Sequence, residues 1–185
     1  MNPKKSVGVI LFKTEFKTGD IIFIQNNHPI AWLIRLFTRS AWSHTASILV
    51  LDGYAFVVEA TIFGVKMQPI ETHSFWRKLH TIGRLKGRGD TENSITQFFL
   101  MRAVGKRYDI AYTLIYQPIY QISKRWLKRK NKGKLVQILE HILQIDGTSK
   151  RKYYACSELS ADVIGLDTTL SPQGLYENRE IEIIK

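Results

Sequence analysis

The sequence predicts an α+β fold: a small antiparallel sheet from the N-terminal half, packed by helices drawn mostly from the C-terminal half. Three observations carry this. Short apolar runs bounded by turn signals crowd the stretch up to Leu85. Asp52-Gly53 separates two alternating runs and is a strong two-residue hairpin signal. From Thr91 onward the apolar spacing changes from strand-like to helix-like.

The elements follow in order. Gly19-Asp20 is a turn signal before the buried-type strand Ile21-Ile22-Phe23-Ile24. Asn26-Asn27-His28-Pro29 ends that strand, and Pro29 suits the first turn of a helix running through about Phe37. Thr45 to Leu51 and Tyr54 to Ala60 form the hairpin, and further strands are expected at Phe63 to Met67 and His80 to Leu85. Ile95, Phe98, Phe99 and Met101 follow helical spacing, with Gly105 where that helix stops. Asp109 can cap a helix starting at Ile110, and the stretch from Ala111 to Leu143 reads as helical with interruptions at Pro118 and at Asn131-Lys132-Gly133. A short helix is expected from Cys156 to Ile164, ended by Gly165. Ser171-Pro172 reads as an N-cap followed by proline at the first helical position, and Glu180 to Ile184 alternates like an edge strand.

At 185 residues, with 44% hydrophobic and 23% charged residues, the chain suits one domain (1–185) and is neither disordered nor a membrane bundle. Its 27 lysines and arginines against 16 acids leave a net charge of +11, which favours anionic company. A single cysteine excludes an intrachain disulfide, and five scattered histidines without a second thiol argue against a structural zinc site. No metal and no cofactor is expected. The apolar run Val7 to Phe12 is too short for a secretory core, and no run reaches the ~18–20 residues that span a bilayer. The expectation is a cytoplasmic protein, able to attach peripherally to a membrane.

Chemistry concentrates on Cys156. It stands at an expected helix start, where backbone N–H groups and the helix dipole favour a thiolate. Its helix offers few large apolar residues, Leu159, Val163 and Ile164, and so reads as a supported surface element. Hairpin geometry supplies a base. With Asp52-Gly53 as a two-residue turn, Leu51 pairs with Tyr54 and Ala46 with Glu59. His44 then shares a face with Ala46 and lies diagonal to Glu59, at roughly 7–8 Å between backbones, which long side chains can bridge. A base and its orienting acid need that arrangement. His28, His73, His80 and His141 have no paired ligand spacing and read as surface or packing residues.

These residues reach a family. Gly19-Asp20-Ile21-Ile22-Phe23, Ser43-His44-Thr45-Ala46, Val57-Val58-Glu59-Ala60 and Tyr154-Ala155-Cys156-Ser157-Glu158-Leu159 resemble the strand, histidine, polar-partner and nucleophile motifs of NlpC-type papain-fold cysteine hydrolases. The order histidine, glutamate, cysteine is that of the circularly permuted branch, the YiiX-like group related to lecithin retinol acyltransferase. Gly105 to Asp109 and Ser171 to Tyr176 also resemble that branch's recurring segments. The resemblance implies a circularly permuted papain-like fold, with 110–150 as a helical insertion. It implies Cys156 as nucleophile, His44 as base and Glu59 as the group orienting the imidazole, in an amidase, peptidase or acyl-transfer enzyme. Candidates for an oxyanion donor beside the Cys156 backbone N–H are Tyr154, favoured by the family pattern, Gln25 and Tyr153. The substrate would be a peptide-like or lipid-linked amide or ester, cell-wall peptide included.

The insertion is the oddest part by composition. Its apolar-aromatic run from Ala111 to Gln121 leads into the cations Lys124, Arg125, Lys128, Arg129, Lys130, Lys132 and Lys134. That suits either a core helix with a solvated basic end or an interfacial helix on an anionic membrane, across 111–134. The alternative to an enzyme is a non-catalytic basic module on a membrane surface or nucleic acid. No helix-turn-helix, zinc-finger or RRM signature appears, so no specific nucleic acid is expected.

Overall fold

The computed structural model describes residues 16–109, 117–130, 132, 134–135, 153–168 and 170–184. Strand β1 (Ile21–Ile24) leads through helix α1 (Pro29–Thr38) to the hairpin β2 (His44–Leu51) and β3 (Tyr54–Thr61). Strand β4 (Gly64–Pro69), two short 3-10 turns (Ile70–Thr72 and Ser74–Arg77) and β5 (His80–Leu85) follow. Then come α2 (Asp90–Ala103), β6 (Arg107–Tyr108), α3 (Gln117–Arg129), β7 (Tyr153–Tyr154), α4 (Cys156–Ile164), α5 (Pro172–Tyr176) and β8 (Ile181–Ile183). One antiparallel sheet, in the order β4-β3-β2-β1-β5-β8, collects the N-terminal strands and takes β8 onto one edge. The short strands β6 and β7 pair in parallel beside it. The fold is α+β, as the sequence predicts.

The hairpin turn has the expected length. Asp52 and Gly53 both hold positive φ, 49° and 81°, the backbone that a two-residue turn of matching twist requires. Leu51 therefore faces Tyr54, and Ser47 faces Val58. The sheet is buried on both faces. On one, Ile21, Phe23, Leu49 and Val58 pack with Leu100 of α2, Leu159 and Val163 of α4 and Leu175 of α5. On the other, Ile22, Ile24, Ala46, Ile48 and Val57 pack beneath Ile70 and Phe75 of the 3-10 turns.

Two helical expectations change. Helix α4 is buried along nearly its whole length, not a supported surface element, because Ser157, Ser160 and Ala161 are small enough to let its axis close on β2. There Ser47 donates to Ser160 Oγ at 3.3 Å and Ser160 donates to Thr45 Oγ1 at 3.1 Å, which satisfies hydroxyls in a dry layer. In α2 the buried stripe is Thr96, Leu100 and Ala103, whereas Ile95, Phe98, Phe99 and Met101 are exposed. Thr96 turns inward because its hydroxyl donates to the carbonyl of Val163 at 2.7 Å. Pro118 is the second residue of α3, and residues 110–116, on the other side of the expected interruption, lie outside the described residues. The helix expected from Ile110, the 136–143 part of the helical stretch and most of the 110–150 insertion lie outside the described residues. Strand β4 starts one residue later than expected and runs on to Pro69. Its first residue, Gly64, has φ of 103°, and a Cβ there would come within 2.7 Å of the Lys106 carbonyl. That close approach ties the segment after α2 to the sheet.

A buried ion pair secures the start of β1. Asp20, 1% exposed, accepts from Arg84 Nε and Nη2, each at 2.7 Å, and from the backbone N–H of Lys17 at 2.8 Å. Removing the carboxylate leaves a half-buried guanidinium without its bidentate acceptor. Asp20→Ala is expected to cost about 3 kcal/mol in urea unfolding. A loss below about 1 kcal/mol would mean the pair is dispensable.

Candidate active site

The site lies where the β2–β3 end of the sheet meets the N-terminus of α4. His44 is the first residue of β2, so its ring can reach past the strand end, and Glu59 stands diagonally across on β3. His44 Nε2 lies 2.7 Å from Glu59 Oε2. The same ring is coupled electrostatically to the thiol of Cys156, the first residue of α4. With Nε2 turned to the carboxylate, Nδ1 is the ring atom left to the sulfur. Cys156, His44 and Glu59 are thus brought together.

A fourth group joins them. His73, which the sequence reading treats as surface or packing, is 5% exposed and directs Nε2 at the other carboxylate oxygen, Glu59 Oε1, at 3.0 Å. Its Nδ1 accepts the backbone N–H of Phe75 at 3.0 Å. Nε2 must therefore carry the ring proton and donate it to Glu59. The segment holding His73 is a junction between two 3-10 turns, where no strand or helix period signals which way a side chain points. Nothing local in the sequence marks it. Of the other histidines, His28 caps α1, its Nδ1 accepting from the Ala31 N–H at 3.2 Å, and His80 packs edge-on against Phe75. His141 lies outside the described residues.

The electrostatics follow from this network. Burial opposes a charge on His44, but hydrogen bonds to Cys156 and Glu59 outweigh it, and the imidazole is pushed up to about 10. Burial alone would raise the Cys156 thiol. The His44 hydrogen bond and charge, with backbone groups of Thr45 and Ser157, bring it below its ordinary value. Burial likewise opposes the Glu59 charge, yet hydrogen bonds from His44 and His73 hold that carboxyl well below the usual range. These directions describe a thiolate–imidazolium pair anchored by a carboxylate.

A cleft of about 480 Å³ opens onto this end of the sheet, lined by Ile24, Ala31, Ile34, His44, Glu59 and His73 among others. It reaches the imidazole, while Cys156 is buried, 5% exposed. Of the oxyanion candidates, Tyr154 is redirected: its hydroxyl donates to Asp162 Oδ2 at 2.9 Å and its ring is buried under the Lys106 ammonium. Its position is that of a packing residue, because a phenol needs a partner when its ring is buried. The Tyr153 side chain lies outside the described residues. Gln25 directly follows β1, and its backbone N–H donates to Leu79.

The sequence profile described as "Permuted papain-like amidase enzyme, YaeF/YiiX, C92 family" matches residues 15–122, more than half of the chain. The chain belongs to this family. The matched region contains His44, Glu59 and His73, and Cys156 lies beyond it. Family membership points to a cysteine peptidase or amidase in the broad sense. The fold agrees with a solved structure of the same kind. The crystal structure of YiiX from Escherichia coli O157:H7, described as a metalloprotein, superposes with a TM-score of 0.64 at 17% identity over 91% of this chain and 96% of that one. No curated protein matches the chain at a significant level.

Proposed function

We propose that the chain is a thiol hydrolase that cleaves an amide or ester through Cys156, His44 and Glu59. The observation that carries this reading is that one imidazole is hydrogen-bonded to a carboxylate and coupled to the thiol that opens a helix. The Cys156 thiolate attacks the acyl carbon, forming the C–S bond as the carbonyl π pair moves to oxygen. The His44 imidazolium gives its proton to the departing amine or alcohol as the C–N or C–O bond breaks. Water then loses a proton to His44 and attacks the thioester, and the thiolate leaves with the acid released. The Cys156 backbone N–H, one of the first-turn donors with no helical acceptor, is aimed where the oxyanion forms. Strand alternation continued past β1 turns Gln25 to the α4 side, which makes it the better second donor. The cleft walls Ile24, Ala31 and Ile34 suit an apolar acyl group next to the scissile bond. The residues do not suit a metal-dependent route: among those described, no group of three or more His, Cys, Asp or Glu is arranged to hold an ion, and the His44 and His73 nitrogens facing Glu59 are engaged in hydrogen bonds.

The test is labelling with a small thiol-directed acyl probe. Cys156→Ala should abolish labelling, and His44→Ala should slow it by about a hundredfold or more. Unchanged labelling in the His44 variant would sink the paired nucleophile.

A further inference from the structure

Helices α1 and α3 lie side by side, and each leaves an apolar stripe in solvent. On α1 the stripe is Trp32 and Leu36, both 54% exposed and one turn apart. On α3 it is Ile119, Ile122 and Trp126, each at least half exposed, at spacings that align them along one face. Tyr120, buried, marks the side of α3 turned to the protein. Helical spacing sets Arg125 and Arg129 along the opposite border of the exposed stripe, and Lys130, Lys132 and Lys134 continue the charge past its end. Arg39, which caps the C-terminus of α1, bears on the same place: the charges acting on Arg125 are Arg39 and Arg129, both repulsive. Two tryptophans and three aliphatic side chains bordered by mutually repelling guanidinium groups form a surface that gains from contact with both apolar and anionic matter.

We infer that α1 and α3 together dock the protein on an anionic lipid surface, with Trp32, Leu36, Ile119, Ile122 and Trp126 entering the headgroup–acyl boundary and Arg39, Arg125 and Arg129 meeting lipid phosphates. The chemistry selects this occupant. Tryptophan and aliphatic side chains beside a cationic border match the wet and dry halves of a membrane interface, where both contribute at once. A nucleic acid would use the cations and could stack on a tryptophan, but would leave Leu36, Ile119 and Ile122 in water. The face is also placed to matter for the cleft, because α1 supplies Ala31 and Ile34 to its wall. Docking would bring that wall to the lipid and favour a substrate carried in the membrane. The inference itself does not require Cys156 to react.

The experiment is flotation of the full chain with phosphatidylcholine vesicles and with vesicles containing phosphatidylglycerol, at two salt concentrations. The native chain and Cys156→Ser should both float with the anionic vesicles, weakly with the neutral ones, and less at high salt. Arg125→Gln with Arg129→Gln should lower partitioning by about fivefold per cation removed. Ile122→Ser with Trp126→Ser should lower it by an order of magnitude or more, with the thermal midpoint unchanged because both side chains already face solvent. Equal flotation with neutral and anionic vesicles would overturn the inference, as would full binding by the Ile122/Trp126 variant. So would tighter, salt-sensitive capture by duplex or single-stranded DNA that this apolar variant retains, which would assign the face to nucleic acid.

Discussion

Cys156 is expected to lose less of its reactivity with iodoacetamide between pH 8 and pH 6 than an ordinary thiol does. An ordinary thiol, titrating near 8.5, would slow by about 80-fold across that interval. The difference comes from the His44 charge, which holds the thiol below its ordinary value despite burial. His44→Ala removes that charge and leaves burial opposed only by the backbone groups of Thr45 and Ser157, so a steeper dependence should return on a lower absolute rate. A flat profile in His44→Ala would refute the ion pair. Turnover should separate from alkylation at the alkaline end. Alkylation needs only the thiolate, whereas expulsion of an amine needs the imidazolium proton. Hydrolysis is thus expected to decline as pH rises through about 10, the value to which His44 is pushed, while alkylation does not.

The second large effect is expected at Glu59. Glu59→Ala strips the acceptor from His44 Nε2 and from His73 Nε2, two largely buried donors, and should cost about 2–4 kcal/mol. Glu59→Gln is more discriminating. His73 has its Nδ1 committed to the Phe75 N–H, so its Nε2 must donate, and the glutamine carbonyl oxygen is drawn to it. The glutamine amide then faces His44 Nε2 as a donor and forces the neutral tautomer with its proton toward the sulfur. This variant should fold with nearly native stability yet lose alkylation below neutral pH, much as His44→Ala does. Retained acid-side reactivity in Glu59→Gln would show that Glu59 does not support the imidazolium. The sign of the stability effect also follows. A carboxyl held below its unfolded value stabilises the fold above about pH 4.5 and loses that contribution as pH falls toward the folded value. Acid unfolding of the native chain should therefore be steeper than that of Glu59→Gln.

Much of the site is legible in the sequence because the decisive steps are local. Asp52-Gly53 tolerates positive φ at both positions, that fixes a two-residue turn, and the turn fixes which residues of β2 and β3 share a face. His44 and Glu59 meet for that reason alone. Cys156 at a helix start is equally local. His73 is not: it belongs to a junction without regular period, and only the packing of the 3-10 turns under the sheet carries its ring to Glu59. The inward face of α2 was hidden for a related reason. Thr96 and Ala103 are not conspicuous by hydropathy, and a carbonyl of α4 decides that Thr96 points in.

By itself the sequence determined the α+β class, the hairpin register that aligns a histidine with an acid, and a cysteine poised at a helix N-terminus, since turn chemistry and periodicity act over a few residues. Only the tertiary structure decided that α4 is a buried central helix, that Tyr154 turns to Asp162, that a second histidine completes the carboxylate's partners, and that α1 and α3 leave a common apolar and cationic face. Those outcomes depend on which distant surfaces exclude water from one another, and no local pattern encodes that.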